Sequence, residues 1–218
     1  MNEINIVSLD LETSGLDVGF HVPLSIGAVK LDLLSNGYNS ENSFYVQLEW
    51  DSAQIDPKAL KVNKLDIVNP PGKTGMLHCN SLPSAEGIEA FKTWLNNTPR
   101  PYDEKIVALG KNVGSFDLPM LRSVWNHGWN RDWPFHYRSI DINTLLFTVC
   151  EITGSSFVDI SRAVSERAWG LQRRLFEDVQ ITHMPPHHAL ADAWWNVFAR
   201  RECMVYFGHK LQEIKGSK

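Results

Sequence analysis

Apolar residues at 4, 6, 7, 9 and 11 form a run that reads as a β-strand buried over most of its length. A second run over residues 22–34 predicts another strand. Asn36-Gly37 follows it as a hairpin turn, and residues 43–48 predict a third strand returning antiparallel to the second. Residues 49–83 carry Pro57, Pro70, Pro71, Gly72, Gly75 and Pro83 among short apolar pieces, which predicts short helices and loops over one end of the sheet. Ser84 is placed to cap a helix over 85–95, where acids come early and apolar residues recur at helical spacing, and Pro99 and Pro101 end it. Residues 105–110 are short and apolar, as a parallel strand covered on both faces should be. A helix over 117–125 and a strand over 136–140 come next, and Asp141 is positioned to cap a helix over 142–152. Residues 159–169 read as helix, 170–182 are ambiguous, and the last helix covers about 188–211. Strands that alternate with helices predict an α/β fold. No repeat or long linker divides the chain, so residues 1–218 are expected to form one domain.

Two acids break the first apolar run. Asp10 and Glu12 lie two apart on a strand, so both side chains leave the same face. Like charges there repel, and each resists desolvation. A hard divalent cation such as Mg²⁺ or Mn²⁺ removes both costs. Thr13-Ser14-Gly15 then ends the strand, which puts the pair at a strand end, where α/β folds bind ligands. An Asp-x-Glu triplet is expected by chance roughly 0.7 times in a chain this acidic, so the pair acquires meaning only with partners.

Two further stretches supply them. Asp117 sits just inside a helix that follows a buried strand, with Phe116 beside it and Asn112 five residues before it. Asp192 lies in an apolar helix, with Ala189 and Ala193 at neighbouring helical positions and His187 five residues ahead. Small residues there let the helix approach the sheet and carry Asp192 toward Asp10 and Glu12. His183 and His187 imitate a zinc spacing, but Pro185-Pro186 keep them off one helical face and no cysteine pair is near. Trp194 and Trp195 read as packing residues, and His188 as a surface or capping residue.

Composition narrows the setting. A net charge of −4 argues against broad adhesion to nucleic acid or membrane while leaving room for a local basic groove. Cys79, Cys150 and Cys203 are widely spaced, which suggests a reducing compartment without disulfides. The first residues enter a strand at once, unlike a signal peptide, and no apolar run approaches the roughly 20 residues of a membrane helix. The expectation is a cytoplasmic protein with no membrane partner.

Together the three stretches resemble the DEDDh class of 3′–5′ exonucleases, the superfamily of the polymerase proofreading subunit. Asp10-Leu-Glu12-Thr-Ser-Gly is similar to the family's first motif, with Ser14 where Thr is commoner. Asn112-x-x-x-Phe116-Asp117 is similar to the second, and His187-x-Ala-Leu-x-Asp192-Ala to the third. The His-x4-Asp spacing marks the His branch rather than the Tyr branch. Residues 25–29 and 56–63 add weaker likeness, whereas 64–83 and 154–182 match poorly.

The resemblance implies a ribonuclease H-like fold: a five-stranded mixed sheet, strands one to three antiparallel, with helices on both faces. It implies a metal-dependent 3′–5′ exonuclease that releases nucleoside 5′-monophosphates from single-stranded nucleic acid with a free 3′ end, DNA favoured. Asp10, Glu12 and Asp192 would hold the cation that carries the attacking water. Asp10 would also bind a second cation, which Asp117 holds through water. Two such ions, Mg²⁺ or Mn²⁺, roughly 3.5–4 Å apart can stabilise attacking and leaving oxygens together. His187 would take the proton from the water. Thr13, Leu16 and Asn112 would line the terminal nucleotide, with Phe116 buttressing it. The alternatives are an exoribonuclease trimming RNA ends and a non-catalytic nucleic-acid-binding domain of the same fold. A homodimer and a polymerase or repair partner both stay open.

Overall fold

Alternation along the first strand decides which helices cover which face. In the computed structural model, which describes residues 5–31, 42–74, 79–97, 105–125, 133–178 and 187–216, β1 spans Ile6–Thr13. Val7, Leu9 and Leu11 enter one apolar cluster and Ile6 enters the other. Ser8, Asp10 and Glu12 share the face of Ile6 by strand alternation.

β1 pairs antiparallel with β2 (Pro23–Leu31), which pairs antiparallel with β3 (Ser43–Glu49). A three-residue β4 (Ser81–Pro83) joins β3 in parallel at one edge. On the other side β5 (Ile106–Gly110) runs parallel to β1, and β6 (Phe135–Asp141) parallel to β5. The order is β4-β3-β2-β1-β5-β6, a mixed sheet of six strands rather than the expected five. The extra strand was illegible because three residues cannot display an alternation. Its Pro83 is tolerated because the strand lies at the edge.

Six helices complete the described chain: α1 (Pro57–Asn63), α2 (Ser84–Asn96), α3 (Asp117–Trp125), α4 (Ile142–Thr153), α5 (Phe157–Asp178) and α6 (Ala189–Gly216). Phe91 and Leu95 of α2 and Met120 and Leu121 of α3 pack with Val7, Leu9 and Leu11. Leu146 of α4, Val164 of α5, and Trp194 and Phe198 of α6 pack with Ile6 and Val29 on the opposite face. Helices therefore cover both faces, as expected.

Asp141 caps α4 as expected, its carboxylate accepting from the N–H groups of Asn143 at 2.7 Å and Thr144 at 3.3 Å. Ser84 is no cap. It is already the first residue of α2, and Pro83 before it offers no side-chain acceptor. The ambiguous stretch after Gly170 continues α5 to Asp178, because tertiary contacts outweigh the cost of a helical glycine. Leu171, Leu175 and Phe176 pack on the core, and buried Gln172 Nε2 donates to the Ala191 carbonyl at 2.7 Å. The Asn36-Gly37 turn, Pro99, Pro101 and His183 lie outside the described residues.

Candidate active site

The site forms where β1 outruns a neighbour. The β1–β5 ladder pairs residues only as far as Ser8, while the β1–β2 ladder continues to Thr13. The Leu11 N–H, between the two acids, donates to Asp117 Oδ1 at 3.0 Å. Asp117 is the first residue of α3 and is buried. Opposite, Ser8 Oγ donates to the Ala193 carbonyl at 2.7 Å, tying α6 to the face that carries Asp10 and Glu12. Asp10 pairs with Gly27 across the β1–β2 ladder, and the backbone of α6 at Ala189 and Leu190 lies directly on that glycine.

Asp192 occupies the first turn of α6, where the helix dipole favours an anion, and its N–H donates to the His188 carbonyl at 3.0 Å. One ligand atom each from Glu12, His187 and Asp192 lie within 4.8 Å of one another. His187 is exposed and takes a left-handed backbone conformation (φ 58°), which turns it out of the chain just ahead of the helix.

Electrostatics show that the acids of this arrangement are only partly compensated. Burial raises the Asp10 carboxyl well above the usual range, and Asp117, Asp192 and Glu12 push it further. Glu12 is raised to about 8 by burial, then by Asp192 and Asp117. Asp117 is raised to about 7 by burial. The Leu11 N–H works against that rise, and the charge of Asp141 adds to it. Burial also raises Asp192, with His187 and Lys111 pulling it back. A cation would relieve four carboxyl groups that resist ionisation together, and their oxygens are a donor set that fits a hard divalent ion.

The loops around the acids are tied down. The Thr13 hydroxyl donates to the Gly15 carbonyl at 2.8 Å, and Asn63 Nδ2 donates to the Thr13 carbonyl at 3.2 Å. Ser14 closes the turn: its N–H donates to the Val22 carbonyl at 2.9 Å, and its carbonyl accepts from Asp56 N–H at 2.7 Å. Leu16 projects beyond, 80% exposed. Asn112 has a left-handed backbone (φ 52°), and its carbonyl accepts from the N–H groups of Ser115 and Phe116, both at 2.9 Å. Its side chain accepts from Asn143 Nδ2 at 3.2 Å. Phe116 is half-buried against the core.

Asp10, Glu12, Asp117, His187 and Asp192 are thus brought together, as the three sequence stretches suggested. His188 is a correction: its ring is buried and stacked on Tyr45, with centroids 4.2 Å apart, rather than at the surface. Trp194 and Trp195 are buried packing residues, as read from sequence. Lys111 was missed. Its ammonium stands 3.9 Å from the centroid of the Trp195 ring, and its charge is felt by Asp10 and Asp192. Lys111 is exposed as a residue, but desolvation of its ammonium lowers its pKa, opposed by those two carboxylates. The signal available was its place between the strand-ending Gly110 and Asn112.

No protein-family model matches the chain. The chain is similar to the 3′–5′ DNA exonuclease Cap18 of Escherichia coli, 29% identical over 168 residues that cover 75% of this chain and 80% of the relative. It is also similar in structure to exonuclease I, with a TM-score of 0.57 and 16% identity over 92% of this chain and 40% of that one. The zinc-ion-bound form of the E. coli exonuclease I complex with single-stranded DNA gives a TM-score of 0.52 and 16% identity, over 94% and 40% of the two chains. The likeness to exonuclease I establishes the fold, and this chain spans less than half the length of those structures.

Proposed function

We infer that this chain is a DEDDh-type 3′–5′ exonuclease of the ribonuclease H-like superfamily, acting on single-stranded DNA with divalent cations. The observation that carries the reading is the meeting of four carboxyls, only partly compensated, from β1, α3 and α6 with one exposed imidazole at the end of the sheet. Asp10, Glu12 and Asp192 would hold one divalent cation, and Asp117 together with Asp10 would hold a second, Mg²⁺ or Mn²⁺ in both places. Such ions supply positive charge to the phosphodiester and make water more acidic.

The chain's own groups do the rest. His187, exposed just ahead of the helix, accepts the proton as the oxygen of water bonds to phosphorus. The bond from phosphorus to the 3′ oxygen of the penultimate nucleotide breaks, and that oxygen takes a proton from solvent while His187 returns its own to solvent. The products are a nucleoside 5′-monophosphate and a strand one nucleotide shorter with a new 3′-OH. Thr13, Asn112 and exposed Leu16 line the terminal nucleotide in this reading, and half-buried Phe116 buttresses it. The whole of residues 1–218 acts as one domain in this reading.

The test is cleavage of matched 5′-labelled DNA and RNA single strands. A DNA strand with a free 3′-OH should shorten stepwise, and 3′-phosphorylated or circular strands and EDTA-treated reactions should stay intact. Rapid cutting of circles, or full turnover in excess EDTA, would overturn the assignment. Faster loss of RNA would move it to an exoribonuclease.

A further inference from the structure

We propose that Lys111 is a positioning and charge-neutralising residue for the phosphodiester being cleaved, its ammonium seated on the face of Trp195 and aimed at a non-bridging phosphate oxygen. The inference rests on the exonuclease reading above.

Geometry carries it. The backbone on either side of Lys111 has little freedom. At Gly110 even a Cβ would fall 2.7 Å from the Leu9 carbonyl oxygen, and Asn112 is held in the left-handed region with its carbonyl hydrogen-bonded. The side chain therefore leaves a fixed point beside the acids. Its ammonium lies 3.9 Å from the centroid of Trp195, a ring that is itself buried in the core. A lysine is otherwise a flexible point charge, and the indole face gives it a seat.

Charge bookkeeping says what the seat is for. Among the described residues Lys111 closes no ion pair within 4.0 Å, although Asp10 and Asp192 act on it through space. A lysine serving only to neutralise acids would collapse onto one of them. Two divalent ions would offset the four carboxylates, so the negative charge left over is that of the phosphodiester. A cation held at the rim, near the acids but not bonded to them, meets that charge as it grows in the transition state.

The variants Lys111→Met and Lys111→Arg test this, with turnover of a DNA single strand and binding of thymidine 5′-monophosphate measured at saturating Mg²⁺, and Mg²⁺ affinity measured by calorimetry. The Met variant should lose about 10- to 100-fold in kcat, below the loss of a fully buried oxyanion donor. It should bind the nucleotide more weakly by a similar direction of change, with Mg²⁺ binding undiminished. The Arg variant should recover most of both losses. If the Met variant keeps wild-type kcat and nucleotide affinity while binding Mg²⁺ more tightly, Lys111 is merely a counter-ion for the acids and the proposal fails. If the wild-type protein shortens no strand, the exonuclease reading fails instead. Nucleotide binding would then still decide whether Lys111 contacts phosphate.

Discussion

Gly27 and Ala189 meet backbone to backbone: a Cβ at Gly27 would lie 2.1 Å from the Ala189 carbonyl carbon and 2.2 Å from the Leu190 nitrogen. Because Gly27 pairs with Asp10, this contact sets how closely α6 brings Asp192 to the acids of β1. No side-chain rotation can relieve a clash between two backbones. Gly27→Ala should therefore displace the start of α6 and cost about 1–3 kcal/mol, the usual range for overpacking. We expect a lower melting temperature together with a loss of activity that extra Mg²⁺ only partly restores. An Ala variant with wild-type melting and turnover would show that the contact yields easily.

Stability without metal should fall as pH rises. Glu12 goes from the usual 4.5 to about 8 on folding, and Asp117 from 3.8 to about 7, both raised chiefly by burial. Between the unfolded and folded values the native state holds the protons more tightly, so each unit of pH favours unfolding. In EDTA the melting temperature should decline from roughly pH 4.5 to pH 8. Divalent cations bind the ionised carboxylates, so Mg²⁺ should raise the melting temperature more at pH 8 than at pH 5. Melting curves with and without Mg²⁺ across that range check the sign.

The adjacent histidines should separate cleanly. His187→Ala removes the exposed imidazole facing Glu12 and Asp192, and should lower kcat by about 10²–10⁴-fold with the fold intact. His188→Ala removes a buried ring stacked on Tyr45, and such a ring pair contributes about 0.5–1.5 kcal/mol beyond its burial. Its first effect should be a lower melting temperature, with turnover of the folded fraction retained. Matched kcat and melting measurements on both variants distinguish them.

Asp141 is an acid at a strand end that should matter little to turnover. It caps α4, so Asp141→Ala should cost about 1 kcal/mol, or roughly 2–4 °C in a chain of this size. Removing its charge also relieves Asp117, so activity should reach slightly lower pH rather than vanish. A variant with normal melting and no turnover would place Asp141 in the chemistry.

The sequence by itself determined the order of the five longer strands, the face shared by Asp10 and Glu12, and the cap at Asp141. Each depends on residues close along the chain, whose spacing is a local property. It also pointed to Asp192, an acid inside an apolar helix where burial would penalise it without a partner, whereas Asp117 and His187 were singled out by the resemblance of their stretches to the exonuclease motifs. Tertiary structure alone decided the rest. β4 pairs with β3 across more than thirty intervening positions in three residues too few to show a pattern. His188 is buried because Tyr45 of β3 lies beneath it, and Lys111 has a seat because Trp195 of α6 passes beside it. Gly27 reads locally as a weak point in a strand, and becomes the point on which the site closes only when a helix begun at Ala189 settles on it. These contacts join residues some 80 to 160 positions apart. Their cause is the packing of one layer on another, which no local spacing encodes.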